Sequence, residues 1–122
     1  MAVAYKKFSN INQIRVQQST AAIETLIIPG SVVNGGNAYT VMGAIVQVIT
    51  AAGGSTCAIN LGAANIGTAQ VTTAAGQFIY ILSNTFTALQ GAAGTDINIV
   101  VAGGAAEVAV TLFIGSAVPT DA

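Results

Sequence analysis

The sequence predicts an all-β protein, an antiparallel β-sandwich of jelly-roll-like or Greek-key type with an extended N-terminal arm. Three observations carry this reading. Runs of alternating, β-branched residues recur along the chain; Gly-rich turn clusters separate them; and beyond about Thr20 the helix formers Glu, Lys and Arg almost disappear. The turn clusters are close but irregularly spaced, which disfavours a solenoid and favours a sandwich of about eight strands in two sheets.

Residues 1–20 read as an arm, 21–118 as the sandwich and 119–122 as a short tail. In the arm, Ile11, Ile14 and Gln18 have a spacing compatible with a short helix. The first strand is expected at 22–28 (AIETLII), stopped by Pro29-Gly30. The longest is 38–50 (AYTVMGAIVQVIT), apolar on both faces and so covered on both sides, with Gly43 marking a bulge or bend. Shorter strands follow at 57–61, 70–72, 77–82 and 85–89. The last two are 96–102 (DINIVVA) and 106–114 (AEVAVTLFI), with Gly103-Gly104 between them as a two-residue hairpin loop.

Composition narrows the function classes. Of 122 residues, 53% are hydrophobic and 6% charged, where an ordinary soluble domain is about 25% charged. That balance is the reverse of a disordered chain. The longest apolar stretch, Val41 to Gly54, is interrupted by Gln47 and Thr50 and falls short of the roughly 20 residues of a spanning helix. The opening MAVAYKKFSNINQ lacks the apolar run of a secretory signal, so the mature protein is expected to begin near Met1. Cys57, the single cysteine, alternates with Ile59 and Leu61 on one strand face and reads as a buried small hydrophobe made in a reducing cytoplasm.

The charges are segregated. Lys6, Lys7 and Arg15 are the three cations, and Glu24, Asp96, Glu107 and Asp121 all follow them. Three cations are too few for a nucleic-acid footprint. The arm reads either as a solvated tail or as a docking element, in which Tyr5, Lys6, Lys7, Phe8, Ile11 and Arg15 contact a partner. On the docking reading, deletion of residues 1–17 is expected to leave the sandwich folded.

Chemistry is poorly provided for. With no histidine, the commonest general base and metal ligand is missing, and neither a zinc cluster nor a calcium loop can be assembled. Asp96 and Glu107, placed on the two arms of the expected hairpin, would be offset by roughly 13 Å along the strands; paired glycosidase carboxylates sit about 5–9.5 Å apart. No GxxxxGK[ST] or GxGxxG motif occurs. Phe78 and Tyr80 share a strand face, but without nearby cations they read as core or subunit packing rather than a base-stacking platform. The expectation is therefore no enzyme, no metal and no cofactor. A surface this poor in charge leaves apolar area that another subunit normally covers, so a homo-oligomer is expected, with a trimer favoured.

The segments PGSVVNGG, AIVQVITAAGGSTCAINLG and TDINIVVAGGAAEVAVTLFIG, within about Ala22 to Ser116, resemble the small β-sandwich head-decoration or head-fibre proteins of tailed bacteriophages. The resemblance implies a structural virion protein made in the host cytoplasm. It would bind the major capsid protein or another shell protein at the outer head surface, without nucleic acid or membrane. The alternative is a fibre or tail adhesin domain binding a host glycan, with Tyr39, Asn60 and Asn65 as candidate contacts. A main coat protein is disfavoured by the lack of basic residues, and an ice-binding surface by the lack of regular Thr-x-Thr rows.

Overall fold

The computed structural model of the chain describes residues 6–7, 11–72, 75–81, 83, 86–116 and 120–121. Its strands are β1 (Lys6–Lys7), β2 (Ile11–Gln17), β3 (Glu24–Pro29), β4 (Tyr39–Thr50), β5 (Thr56–Leu61), β6 (Ala64–Gln70), β7 (Phe78–Tyr80), β8 (Gln90–Gly91), β9 (Gly94–Ala102), β10 (Glu107–Ser116) and β11 (Thr120–Asp121). One helical turn, α1 (Gly30–Val33), follows β3, and a 3₁₀ turn spans Phe86–Leu89, where a strand was expected.

Two antiparallel sheets form the sandwich. The first has the order β2-β10-β4-β7, with β8 also on β4; the second has the order β3-β9-β5-β6. From β2 to β10 each connection therefore crosses between sheets except two: β5–β6, a tight hairpin closed by Gly62-Ala63, and β7–β8, which stays in the first sheet. Two interleaved sheets with the main orders β2-β10-β4-β7 and β3-β9-β5-β6 are the double Greek key of a jelly roll. Alternation makes the core. Val41, Ala44, Val46 and Val48 of β4 and Val108, Val110, Leu112 and Ile114 of β10 meet Cys57, Ile59 and Leu61 of β5 and Ile97, Ile99 and Val101 of β9, all of them buried. The accessible surface, 6156 Å², matches the roughly 6000 Å² of a compact monomer of this mass.

Two sequence expectations are corrected here. First, β9 and β10 are not a hairpin. β9 pairs with β3 and β5, while β10 pairs with β2 and β4. Alternation identifies a strand and its inward face, but it is blind to the partner. The Gly103–Ala106 connection is an arch between sheets that lies against the neighbouring arch of β4–β5. A Cβ on Gly103 would overlap the Gly54 carbonyl, and Ser55 Oγ donates to the Gly104 carbonyl at 2.8 Å. The glycines serve close backbone approach, not a two-residue turn.

Second, the arm does not run to residue 20. Ile11–Gln17 is strand β2, paired along its length with β10 from Ile11↔Gly115 to Gln17↔Ala109. Ile14 and Val16 pack against the core, and Gln18 beyond them is buried. Gln18 Nε2 donates to the Ala22 carbonyl at 3.0 Å and to Glu24 Oε1 at 2.8 Å, while its Oε1 accepts the Val108 N–H at 2.8 Å. One amide thus ties the β2–β3 crossover to β10. The expected bulge in β4 is present: between Phe113 and Ile114 the β10 register jumps from Gly43 to Val41.

Candidate functional site

The residues expected to form a docking arm fall in separate places. Tyr5 and Phe8 lie outside the described residues. Lys6 and Lys7 form β1 and pair with Asp121 and Thr120 of the same chain. Ile11 opens β2. Arg15 lies at the middle of β2 with its side chain exposed on the outer face of the first sheet, where the guanidinium donates to Gln47 Oε1 at 3.2 Å and Gln17 Oε1 at 3.4 Å. Of these six, then, Arg15 is placed on a broad surface.

That surface carries exposed aromatic side chains. The register aligns Arg15, Thr111, Ile45 and Tyr80 in one row across the sheet, and Gln17, Ala109, Gln47 and Phe78 in the next. Phe78 is 66% and Tyr80 64% exposed. Phe113 lies one row away, opposite Gly43, and a Cβ at Gly43 would stand 3.1 Å from the Phe113 ring and 3.7 Å from the Tyr80 ring. Glycine at 43 leaves room for both rings above β4. Strand alternation had placed Phe78 and Tyr80 on one face; sequence alone could not say that this face points outward.

The outer face of the second sheet is different. Ile27, Asn98, Asn60 and Asn65 form a row across all four strands. Asn65 Nδ2 donates to Asn60 Oδ1 at 3.2 Å and Thr68 Oγ1 at 3.1 Å, and Asn98 Nδ2 to the Gly62 carbonyl at 2.9 Å. Ile27 is 59% exposed; Ile23 before it and Val32 on α1 are exposed as well. The trio of Tyr39, Asn60 and Asn65 is not assembled: Tyr39 is wholly buried, its hydroxyl donating to the Thr95 carbonyl at 2.8 Å.

The acids are structural or apart. Asp96 Oδ1 accepts the Gly30 N–H at 2.7 Å and holds α1 to β9, while Glu107 begins a strand of the other sheet. They do not form a pair. Among the described residues, no three of His, Cys, Asp and Glu group to hold a metal. Likewise, no described helix is long and apolar enough to cross a membrane.

Cys57 is free, fully buried and inert as a nucleophile: burial pushes its thiol from an ordinary value near 9 up to about 12. Burial, with a smaller contribution from the charge of Asp96, raises Tyr39 from 10 to about 12. In the unfolded chain both groups release protons at lower pH than in the fold. The stability these two groups contribute is therefore fully present below about pH 9 and is lost as pH rises from there towards 12. Urea denaturation along a pH series checks this. Cys57→Ala should remove the earlier part of the alkaline decline, and an unchanged profile in that variant would refute the assignment.

No family model and no curated protein matches the chain. A solved structure from the Bacillus endospore appendages, described as a novel family of disulfide-linked pili, is similar at 17% identity, with 96% of this chain and 94% of that one covered and a TM-score of 0.45. This corrects the function expected from the sequence. The similar structure is a pilus protein, not a phage head protein, and neither the capsid-decoration role nor its adhesin alternative is carried forward. What the fold and surface define is a jelly-roll domain with exposed apolar side chains on both outer faces and a buried cysteine.

Proposed function

We propose that this protein is a non-catalytic structural subunit that associates with copies of itself through the outer faces of its sandwich. The carrying observation is the exposed pair Phe78 and Tyr80, 66% and 64% accessible, beside Ile45 and Phe113 on a sheet face. Aromatic side chains dominate interface energetics, and a chain with 6% charged residues has little else to keep such a face in water. The lack of any histidine and the separation of the acids support the non-catalytic reading. A thiol sealed in the core leaves the association to non-covalent contacts.

Sedimentation over a rising concentration series tests the proposal. The expected result is a mass that climbs above the 12.1 kDa of one chain. A 12.1 kDa species at every concentration would reject it.

A further inference from the structure

The two sheets of a sandwich present their outer faces in opposite directions, and here both faces carry exposed apolar side chains. The first face bears Phe78 and Tyr80, with Arg15 in the row of Tyr80. The second bears Ile27, with Val32 on the adjoining turn and Ile23 before the strand. Asp96 lies on that second face: Ile97, Ile99 and Val101 point into the core, so Asp96 and Asn98 point out, and Asn98 is the partner of Ile27. Asp96 is exposed, and one of its oxygens is held by the Gly30 N–H.

Resting on the self-association proposed above, we infer that copies join head to tail, the aromatic face of one against the Ile27–Val32 face of the next, so that the assembly grows as an open stack rather than closing as the trimer expected from the sequence. Charge complementarity selects this arrangement. Head-to-tail contact sets the face that carries Arg15 against the neighbour's face that carries Asp96. Self-pairing of the second face would set Asp96 against Asp96, and self-pairing of the first would set Arg15 against Arg15. Glu107, the acid on the first face, lies four residues along β10 from Thr111 of the Arg15 row, roughly 13 Å away and at the rim. Because the two contacting faces look in opposite directions, each added copy exposes a fresh face of the kind just covered. Such a heterologous contact propagates unless the rotation per step closes a ring. Two interfaces of ordinary size, about 800 Å² per partner, would cover about a quarter of the 6156 Å² surface.

The test uses two full-length variants. One disables the first face, Phe78→Ser with Tyr80→Ser; the other disables the second, Ile27→Ser with Val32→Ser. All four side chains are exposed, so the core is untouched, and a thermal melt confirms folding of each. If either double variant fails to fold, Tyr80→Ser and Ile27→Ser alone replace them. Wild type should sediment as a broad series of species beyond a dimer. Each variant alone should remain a monomer. Their equimolar mixture should give a discrete heterodimer that grows no further, because each contributes the one intact face the other lacks. A wild type that associates while either variant alone still dimerises, or while the mixture yields no heterodimer, overturns the head-to-tail contact and leaves self-association standing. A wild type that never associates overturns self-association itself.

Discussion

Deletion of residues 1–17 should abolish cooperative folding, the opposite of what a free arm over residues 1–20 implies. β2 supplies a full ladder along β10, and each of its hydrogen bonds is worth about 0.5–1.5 kcal/mol net. Ile14 and Val16 add about 1 kcal/mol or more apiece from partial burial. Against a total stability of about 5–15 kcal/mol for a domain of this kind, little or nothing remains. The truncation would also turn β10, an interior strand rich in Val, Leu and Ile, into an open edge prone to pairing with other chains. Deleting residues 1–10 instead removes, of the described elements, only the two-residue β1, and should shift the urea midpoint little. Circular dichroism with urea titration separates the cases. A 1–17 deletion that unfolds at the wild-type midpoint would show that β2 is dispensable.

The second large effect is expected at the arch between β9 and β10. Gly103 has φ 79°, and a Cβ there would meet the Gly54 carbonyl of the adjacent arch. Gly103→Ala combines the left-handed backbone penalty with an overpacked contact and should cost about 2–5 kcal/mol. Gly53→Ala is the matched control: a Cβ at Gly53 meets nothing within 4 Å, so the change should stay within about 0.5 kcal/mol. Paired urea titrations read both. Equal effects would mean that the two arches do not lie against each other.

These effects also mark what the sequence showed and what it hid. The class was legible because inward residues alternate so cleanly in β5, β9 and β10. β2 was hidden although Ile14 and Val16 alternate with Gln13, Arg15 and Gln17. An edge strand with two inward side chains and a polar outer row looks like a solvated segment, and Ile11, Ile14 and Gln18 suit a helix equally well. β6 was seen only at its end, because Asn65 and Gly67 resemble loop residues and its core contribution rests on Ile66 and Ala69. The Gly103-Gly104 reading failed on pairing, which is a tertiary property: glycine pairs suit both a hairpin turn and a tightly packed arch. The outer faces were legible only as composition. A 6% charge content implies uncovered apolar surface somewhere, but only the register of β4 with β7 and β10 places Tyr80, Ile45 and Phe113 together on the outside.

Covering of that face by a second copy is measured most directly by hydroxyl-radical footprinting of Phe78 and Tyr80, read by mass spectrometry, in concentrated and in highly diluted protein. Both rings should be protected at high concentration and become reactive on dilution, while Thr87, an exposed residue outside the two faces, keeps a constant rate. Rings that react equally at both concentrations, in a sample whose sedimentation shows assembled species, would place the interface elsewhere and contradict a role for the aromatic face in assembly.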